Sequence, residues 1–285
     1  MQQKNLLIGA AWMLAASFSF SIMGAVIRTL SLTFNNESIV FFRSLFGLLL
    51  LLPWRLGQTN VSLGTDQLSG HLARAFFGLS AMYCFFYAIS KLNLATAVLL
   101  NFSAPMFIPI FAWILLKEPS SRRIWIAIGV GFLGILFILK PSQGLWNSAA
   151  LIGTCSGILA AMAMIFVRKL GRTEPASRTL FYFTMLSTLG SAIPMLLFGK
   201  MPQLQHLPLL LLLGISANAG QYMLIRAYQM APAPQIGPFS YSAVLFAAIL
   251  GWWMWAEVPD QYSLIGTVLV IAAGILTLRA GMRKG

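Results

Sequence analysis

Ten apolar stretches follow one another along this chain with only short polar gaps between them, and that spacing decides what it can fold into. A helix that crosses the hydrocarbon of a bilayer needs about 20 mostly apolar residues, because each residue advances the axis by only about 1.5 Å. The stretches cover residues 6–27, 38–54, 72–90, 94–116, 124–139, 149–167, 180–198, 207–228, 233–256 and 262–278. Residues typical of turns fill the gaps, as in Asn35-Asn36-Glu37, Gly57 to Asn60, Glu118-Pro119 and Pro141 to Gly144. The first stretch is too long for a signal-peptide core and more spans follow it, so it reads as a retained helix. Composition excludes the alternatives. Apolar residues make up 59% of the 285 and charged residues 9%, too few to cover a water-soluble globule. Two cysteines and two histidines, none close together, build neither a disulfide framework nor a zinc site. The expected fold is an all-α integral membrane protein of ten transmembrane helices.

The net charge of +13 would suggest nucleic acid in a soluble protein, but the positions of the charges give another reading. With the N-terminus placed in the cytoplasm, one side collects Lys4, Arg55, Arg74, Lys117, Arg122, Arg123, Arg168, Lys169, Arg172, Arg178, Arg226, Arg279, Arg283 and Lys284. Opposite them stand Arg28, Lys91, Lys140 and Lys200, and Arg43 lies within the second stretch. Fourteen against four is a positive-inside pattern, and it predicts that both termini are cytoplasmic. The expected partners are the bilayer and a small-molecule substrate, with no nucleic acid and no cofactor.

Displaced by about 140 residues, the chain aligns with itself. Arg28 falls on Arg168, Glu118-Pro119 on Glu257 and Pro259, and Gly134-Ile135-Leu136 on Gly274-Ile275-Leu276. Each copy holds five helices, an odd number, so the second must enter the membrane upside down. The loop after the fourth stretch carries Lys117, Glu118, Arg122 and Arg123, whereas its counterpart after the ninth carries only Glu257 and Asp260. The expected organisation is two inverted five-helix repeats, residues 1–140 (helices 1–5) and 141–285 (helices 6–10).

Several of these residues carry a family resemblance: Leu94 to Val98, Phe102-Ser103-Ala104-Pro105, Leu116-Lys117-Glu118, Gly134-Ile135-Leu136, and in the second copy Ala233 to Gly237, Trp255-Ala256-Glu257 and Gly266 to Gly274. Together with Phe41-Phe42-Arg43 they resemble the repeat unit of the EamA family, within the drug/metabolite transporter superfamily. The copies differ in places: Pro105 faces Val244, and Gly266 faces Ile126. The resemblance implies ten helices, a bacterial inner membrane, and export or uptake of small metabolites such as amino acids, riboflavin, purines or S-adenosylmethionine.

Polar groups inside a bilayer either find partners or line a wet site. Pro105 and Pro109 in the fourth stretch and Pro238 in the ninth each remove a backbone N–H and free a carbonyl four residues back, which predicts helix breaks at matching points. Asn101, Ser103, Ser240, Tyr241 and Ser242 adjoin those carbonyls and are expected to line a substrate site; satisfied kinks are the plainer outcome. Aromatic candidates are Trp12, Tyr83, Tyr87, Phe102, Tyr222 and Tyr241, with packing as the alternative for each. The pairs Tyr83/Tyr87 and Asn218/Tyr222 are spaced to share helix faces. Arg43 and Arg226 lie inside apolar segments, where each could snorkel to the headgroups or hold a substrate carboxylate. Glu118 and Glu257 are read as capping turns or pairing with Lys117 or Arg122, and no acidic residue is placed in mid-membrane. Gly153 and Gly157 form a small-residue step, read as internal packing with a dimer seam as the alternative, so the chain is expected to be a monomer or homodimer. Cys84 and Cys155 are expected to be buried and inert.

Six acidic residues, all in or near loops, cannot assemble the metal site or the nucleophile–base pair of a membrane enzyme. A sensory protein needs no inverted repeat. The expectation is a secondary transporter, an exporter of amino acids or related amphipathic metabolites. Uptake of a planar nutrient such as riboflavin or S-adenosylmethionine is the second reading.

Overall fold

A computed structural model describes residues 2–56, 64–116, 122–139, 148–171, 173–230 and 237–282, and these residues are helical with no strand among them. Residues 57–63, 117–121, 140–147 and 231–236, and with them Glu118, lie outside the described residues. The helices are α1 (Gln2–Leu30), α2 (Asn36–Leu56), α3 (Leu68–Lys91), α4 (Leu94–Asn101), α5 (Ala104–Leu116) and α6 (Arg122–Leu139), then α7 (Ser148–Leu170), α8 (Ala176–Phe198), α9 (Leu207–Met230), α10 (Ser242–Trp255) and α11 (Gln261–Met282). Among the described residues, six segments are long and apolar enough to cross a membrane, and Phe239–Trp255 and Gln261–Leu276 add shorter apolar helices. Large side chains such as Leu196, Phe198, Trp252 and Trp253 are exposed, as a lipid-facing surface requires.

The helix pairs repeat across the two halves. α3 packs on α7, and α9 packs on α1; α2 packs on α9, and α8 on α3. α4 and α5 lie on α7, as α10 lies on α1. The remaining major pairs join corresponding helices of the halves: α2 with α8, α4 with α10, and α6 with α11. The α6–α11 crossing is antiparallel. Gly131 meets Ala273, Gly134 meets Gly266 and Val270, and Ile138 meets Gly266. A side chain at Gly134 would begin 2.8 Å from the Gly266 carbonyl, so the two backbones touch there and only glycine fits. α2 and α8 are also antiparallel: Asn35 Nδ2 donates to the Phe198 carbonyl, while Arg43, further along α2, reaches back to Phe183.

The fourth stretch is two helices. α4 ends at Asn101, Phe102 and Ser103 form a turn, and α5 starts at Ala104. Pro105 therefore sits in the first turn of α5, where its missing N–H is one that no helix bonds. Pro109, expected to break the helix, does not: α5 runs on through it. The ninth stretch is likewise divided, with a 3-10 segment at Gly237–Tyr241, which includes Pro238, ahead of α10.

Candidate functional site

Each break is held by the first helix of the other half. Ser17 Oγ donates to the Ser240 carbonyl at 3.4 Å, and Ser21 Oγ donates to the Ala243 carbonyl at 3.0 Å. On the other side, Asn101 Nδ2 donates to Ser156 Oγ at 3.2 Å, and Gly157 lets the Leu100 carbonyl approach α7. Ser103 is fully buried and donates to the Leu100 carbonyl at 2.6 Å. Tyr241 is also buried, its phenol tip lying against Gly274, where any side chain would overlap it. The structure thus ties Asn101 and Ser240 into joints between the halves, while Ser103 bonds within its own turn and Tyr241 packs on α11 of its own half. Gly153 packs on Leu100 and Ala88 within the chain, as an internal small-residue step should.

The other sequence candidates fall into three groups. Asn218 Nδ2 donates to the Gly47 carbonyl at 2.8 Å, one turn beyond Arg43 on α2, so Arg43 and Asn218 share one seam. Tyr222, half exposed, meets Trp12 edge to face at 6.3 Å between ring centres, and Arg226 lies one turn further along α9 with its Nε sealed from solvent and unpartnered. Tyr83 stands apart, its carbonyl accepting from Asn36 Nδ2 at 2.8 Å and its hydroxyl sealed and unpartnered. Tyr87 is partly buried against the main core. Cys155 is exposed, against the expectation that both cysteines are buried, while Cys84 is partly covered. The lipid side of an apolar helix and its packed side have the same composition, and only the packing separates them.

Sequence reasoning also missed a cationic pair. Arg74, which the sequence offers only as a charge of the cytoplasmic side, lies in the second turn of α3. Its guanidinium carbon stands 3.9 Å from the centre of the Phe183 ring, and that of Arg43 stands 5.8 Å from the same centre. Both distances are within cation–π reach. Arg43 is 5% exposed and Phe183 equally buried, while Arg74 is half-buried. Among the described residues neither guanidinium has a carboxylate partner, and the Nε of each is sealed without a hydrogen bond. Ser187, one turn beyond Phe183 on α8, is fully buried with its hydroxyl unpartnered. A stripe at 184, 187, 188 and 191 carries only Thr and Ser, and its helical spacing is the signal that could have pointed to this seam.

Two acidic residues act at the ends of helices. Glu257 is aimed back by Ala256, which holds the left-handed φ of 52° that ends α10. Its Oε2 accepts the Leu94 N–H at 2.7 Å at the start of α4, and its Oε1 meets Arg28 at 3.2 Å. Arg28 also donates to the Ile89 carbonyl at 2.8 Å. Glu257 therefore caps a turn, as expected, but across the molecule and with Arg28 as its ion pair. Glu174, between α7 and α8, accepts from Arg178 at 2.6 Å and from Thr65 at 2.6 Å, with His71 at 4.0 Å. Burial pushes the Glu174 carboxyl up, but the hydrogen bonds from Thr65 and Arg178 and the Arg178 charge outweigh it, leaving it below the ordinary value. His71 stacks on Tyr182 with ring centres 4.4 Å apart. Among the described residues no group of three His, Cys, Asp or Glu could hold a metal ion.

These features fit what the chain resembles. The pseudopaline exporter CntI of Pseudomonas aeruginosa is 34% identical over 273 residues, spanning 95% of both chains. An uncharacterised transporter of Helicobacter pylori is 31% identical over 99% of this chain and 98% of its own. The S-adenosylmethionine uptake transporter of Rickettsia bellii is 28% identical over 96% of this chain and 94% of its own. One solved crystal structure superposes over the whole of both chains with a TM-score of 0.59 at 18% identity, a likeness of fold. The sequence profile of the EamA-like transporter family matches twice, over residues 7–140 and again over 147–279. Two family repeats, an all-helical apolar body and transporter relatives along the full length make this chain a multi-pass membrane protein of the EamA-like transporter family.

Proposed function

We propose that the chain is a secondary transporter that carries a small metabolite across a bacterial inner membrane by alternating access. On this reading ten spans form two inverted five-helix repeats, 1–140 and 141–285, with both termini in the cytoplasm, acting as a monomer or homodimer. The observation that carries it is the exchange of partners between halves, α3 on α7 answered by α9 on α1, with antiparallel crossings of α2 on α8 and α6 on α11. An inverted repeat lets one chain adopt two states of similar energy, because exchanging the conformations of the halves turns a site open to one side into a site open to the other. The joints at Ser17–Ser240 and Asn101–Ser156 place a broken helix of each half against the first helix of its partner, where such a rearrangement would pivot.

The cargo is a small amphipathic metabolite of the amino-acid class, moved outward, and the 34% identity to a pseudopaline exporter favours that direction. Uptake of S-adenosylmethionine is the second reading, and the similarity to the Rickettsia bellii carrier favours it. The test is counterflow into proteoliposomes with labelled amino acids, S-adenosylmethionine, riboflavin and nucleosides. Saturable uptake of amino acids alone is expected; uptake of S-adenosylmethionine alone would select the second reading. Folded protein that moves none of them would overturn the proposal. Reporter fusions at both termini should read cytoplasmic.

A further inference from the structure

Arg43 and Arg74 come from two helices of the first half, and the ring they share, Phe183, comes from the second half. Their guanidinium carbons lie no farther apart than the sum of their distances to that ring, and the charges are close enough to oppose one another. Like charges that are also withdrawn from water are doubly unfavourable without a counter-charge. Proteins usually supply a carboxylate in such places, and here the described residues supply none. The neighbours named along these helices are neutral: the Phe183 ring, Ser187 one turn further on α8 with its hydroxyl unpartnered, and the Gly47–Asn218 contact one turn along α2. Gly47 keeps that seam narrow, since a side chain there would begin 3.3 Å from Asn218 Oδ1.

We infer that Arg43 and Arg74 form a two-point receptor for the carboxylates of the substrate, and that the cargo is an anion or a zwitterion with an acidic excess, such as a compound bearing two carboxylates. This rests on the transporter reading and narrows it. A guanidinium presents a planar fork that matches a carboxylate, and two forks on different helices select a ligand with two acidic groups. Phe183 offers both cations a ring within cation–π reach but accepts no conventional hydrogen bond from them, so their N–H donors still call for an acceptor. Because Phe183 belongs to the other half, the ligand bound by the two arginines would bear on the seam between halves. An empty site keeps both charges uncompensated, so the loaded carrier is the form that closes most readily.

The test uses the full chain in neutral detergent without anionic lipid. Thermal unfolding is followed with glutamate, succinate, citrate, putrescine and glucose at equal ionic strength. The di- and tricarboxylates should raise the midpoint and the others should not. Arg43→Lys and Arg74→Lys keep the charge but lose the fork, and each should weaken the apparent carboxylate affinity at least tenfold. Stabilisation by putrescine or glucose equal to that by succinate would overturn the inference, as would unaltered carboxylate affinity in both variants. If phosphatidylglycerol stabilises the protein and free carboxylates do not, the pair reads a lipid headgroup and the inference falls. Counterflow separates the two proposals. Carboxylate binding with no transport of any substrate sinks the transporter reading alone. Transport of neutral metabolites only, unchanged in both lysine variants, sinks the receptor alone.

Discussion

Removing the Glu257 carboxylate should unfasten three elements at once. The side chain is 10% exposed and closes two contacts, one to the Leu94 N–H at 2.7 Å and one to Arg28 at 3.2 Å. An acceptor for an orphan N–H at a helix start contributes about 1 kcal/mol. A charge-assisted hydrogen bond contributes roughly 1.5–3 kcal/mol where water is excluded. Arg28 is 22% exposed and keeps its bond to the Ile89 carbonyl, so its share is nearer the lower end. Glu257→Ala should therefore cost about 3 kcal/mol, and Glu257→Gln about 1 kcal/mol, since an amide oxygen still accepts from Leu94. The readout is thermal unfolding of the purified protein in detergent, followed by tryptophan fluorescence. The alanine variant should melt about 6–12 °C lower, taking 2–4 °C per kcal/mol for a chain of this order of size. A double-mutant cycle with Arg28→Ala should return a coupling of about 1 kcal/mol. Full additivity in that cycle, or an alanine variant as stable as the glutamine variant, would refute the idea that the carboxylate ties α1, α4 and α10 together.

Three further outcomes follow from the packing. A leucine at Gly266 would begin 2.6 Å from the Gly134 carbonyl and from Ile138, so Gly266→Leu should abolish monodisperse folded protein in size-exclusion chromatography. Gly129→Leu, with nothing within 4 Å of its Cβ, should elute like the parent; equal behaviour of the two would dispose of the close α6–α11 contact. Ser17→Ala with Ser21→Ala removes the hydroxyl donors to the divided ninth helix and should lower stability by about 1–3 kcal/mol in denaturant titration, whereas an unchanged midpoint would show that those carbonyls are satisfied otherwise. The Glu174 carboxyl is held below its ordinary value of 4.5, so its stabilisation is complete above that pH and is lost as the pH falls through the lower folded value. Melting curves from pH 6 to pH 3 should therefore fall more steeply for the parent than for Glu174→Gln, and parallel curves would refute the assignment.

Apolar run length, the sidedness of Lys and Arg and the echo at about 140 residues were all readable in the sequence, because each is a property of order along the chain. Membership of the EamA-like family was legible for the same reason, since its repeat unit is written as consecutive residues. The divisions in the fourth and ninth stretches were readable from Pro105 and Pro238, but not the continuity of α5 through Pro109, which depends on neighbours that hold the helix together. The contacts of Tyr241 with Gly274 and of Ser103 with the Leu100 carbonyl were not readable, because a polar side chain in an apolar run reads the same whether it meets a ligand or the protein's own backbone. Arg74 reads in the sequence only as a marker of sidedness, because a charge near the end of an apolar stretch looks the same whether it meets headgroups or a neighbouring helix. In water, the apolar face of a helix marks its buried side, and periodicity tells inside from outside. In a membrane both sides of a helix are apolar, so the sequence by itself determined which segments are apolar enough to cross. Only the tertiary structure decided that Arg43, Arg74 and Phe183 meet.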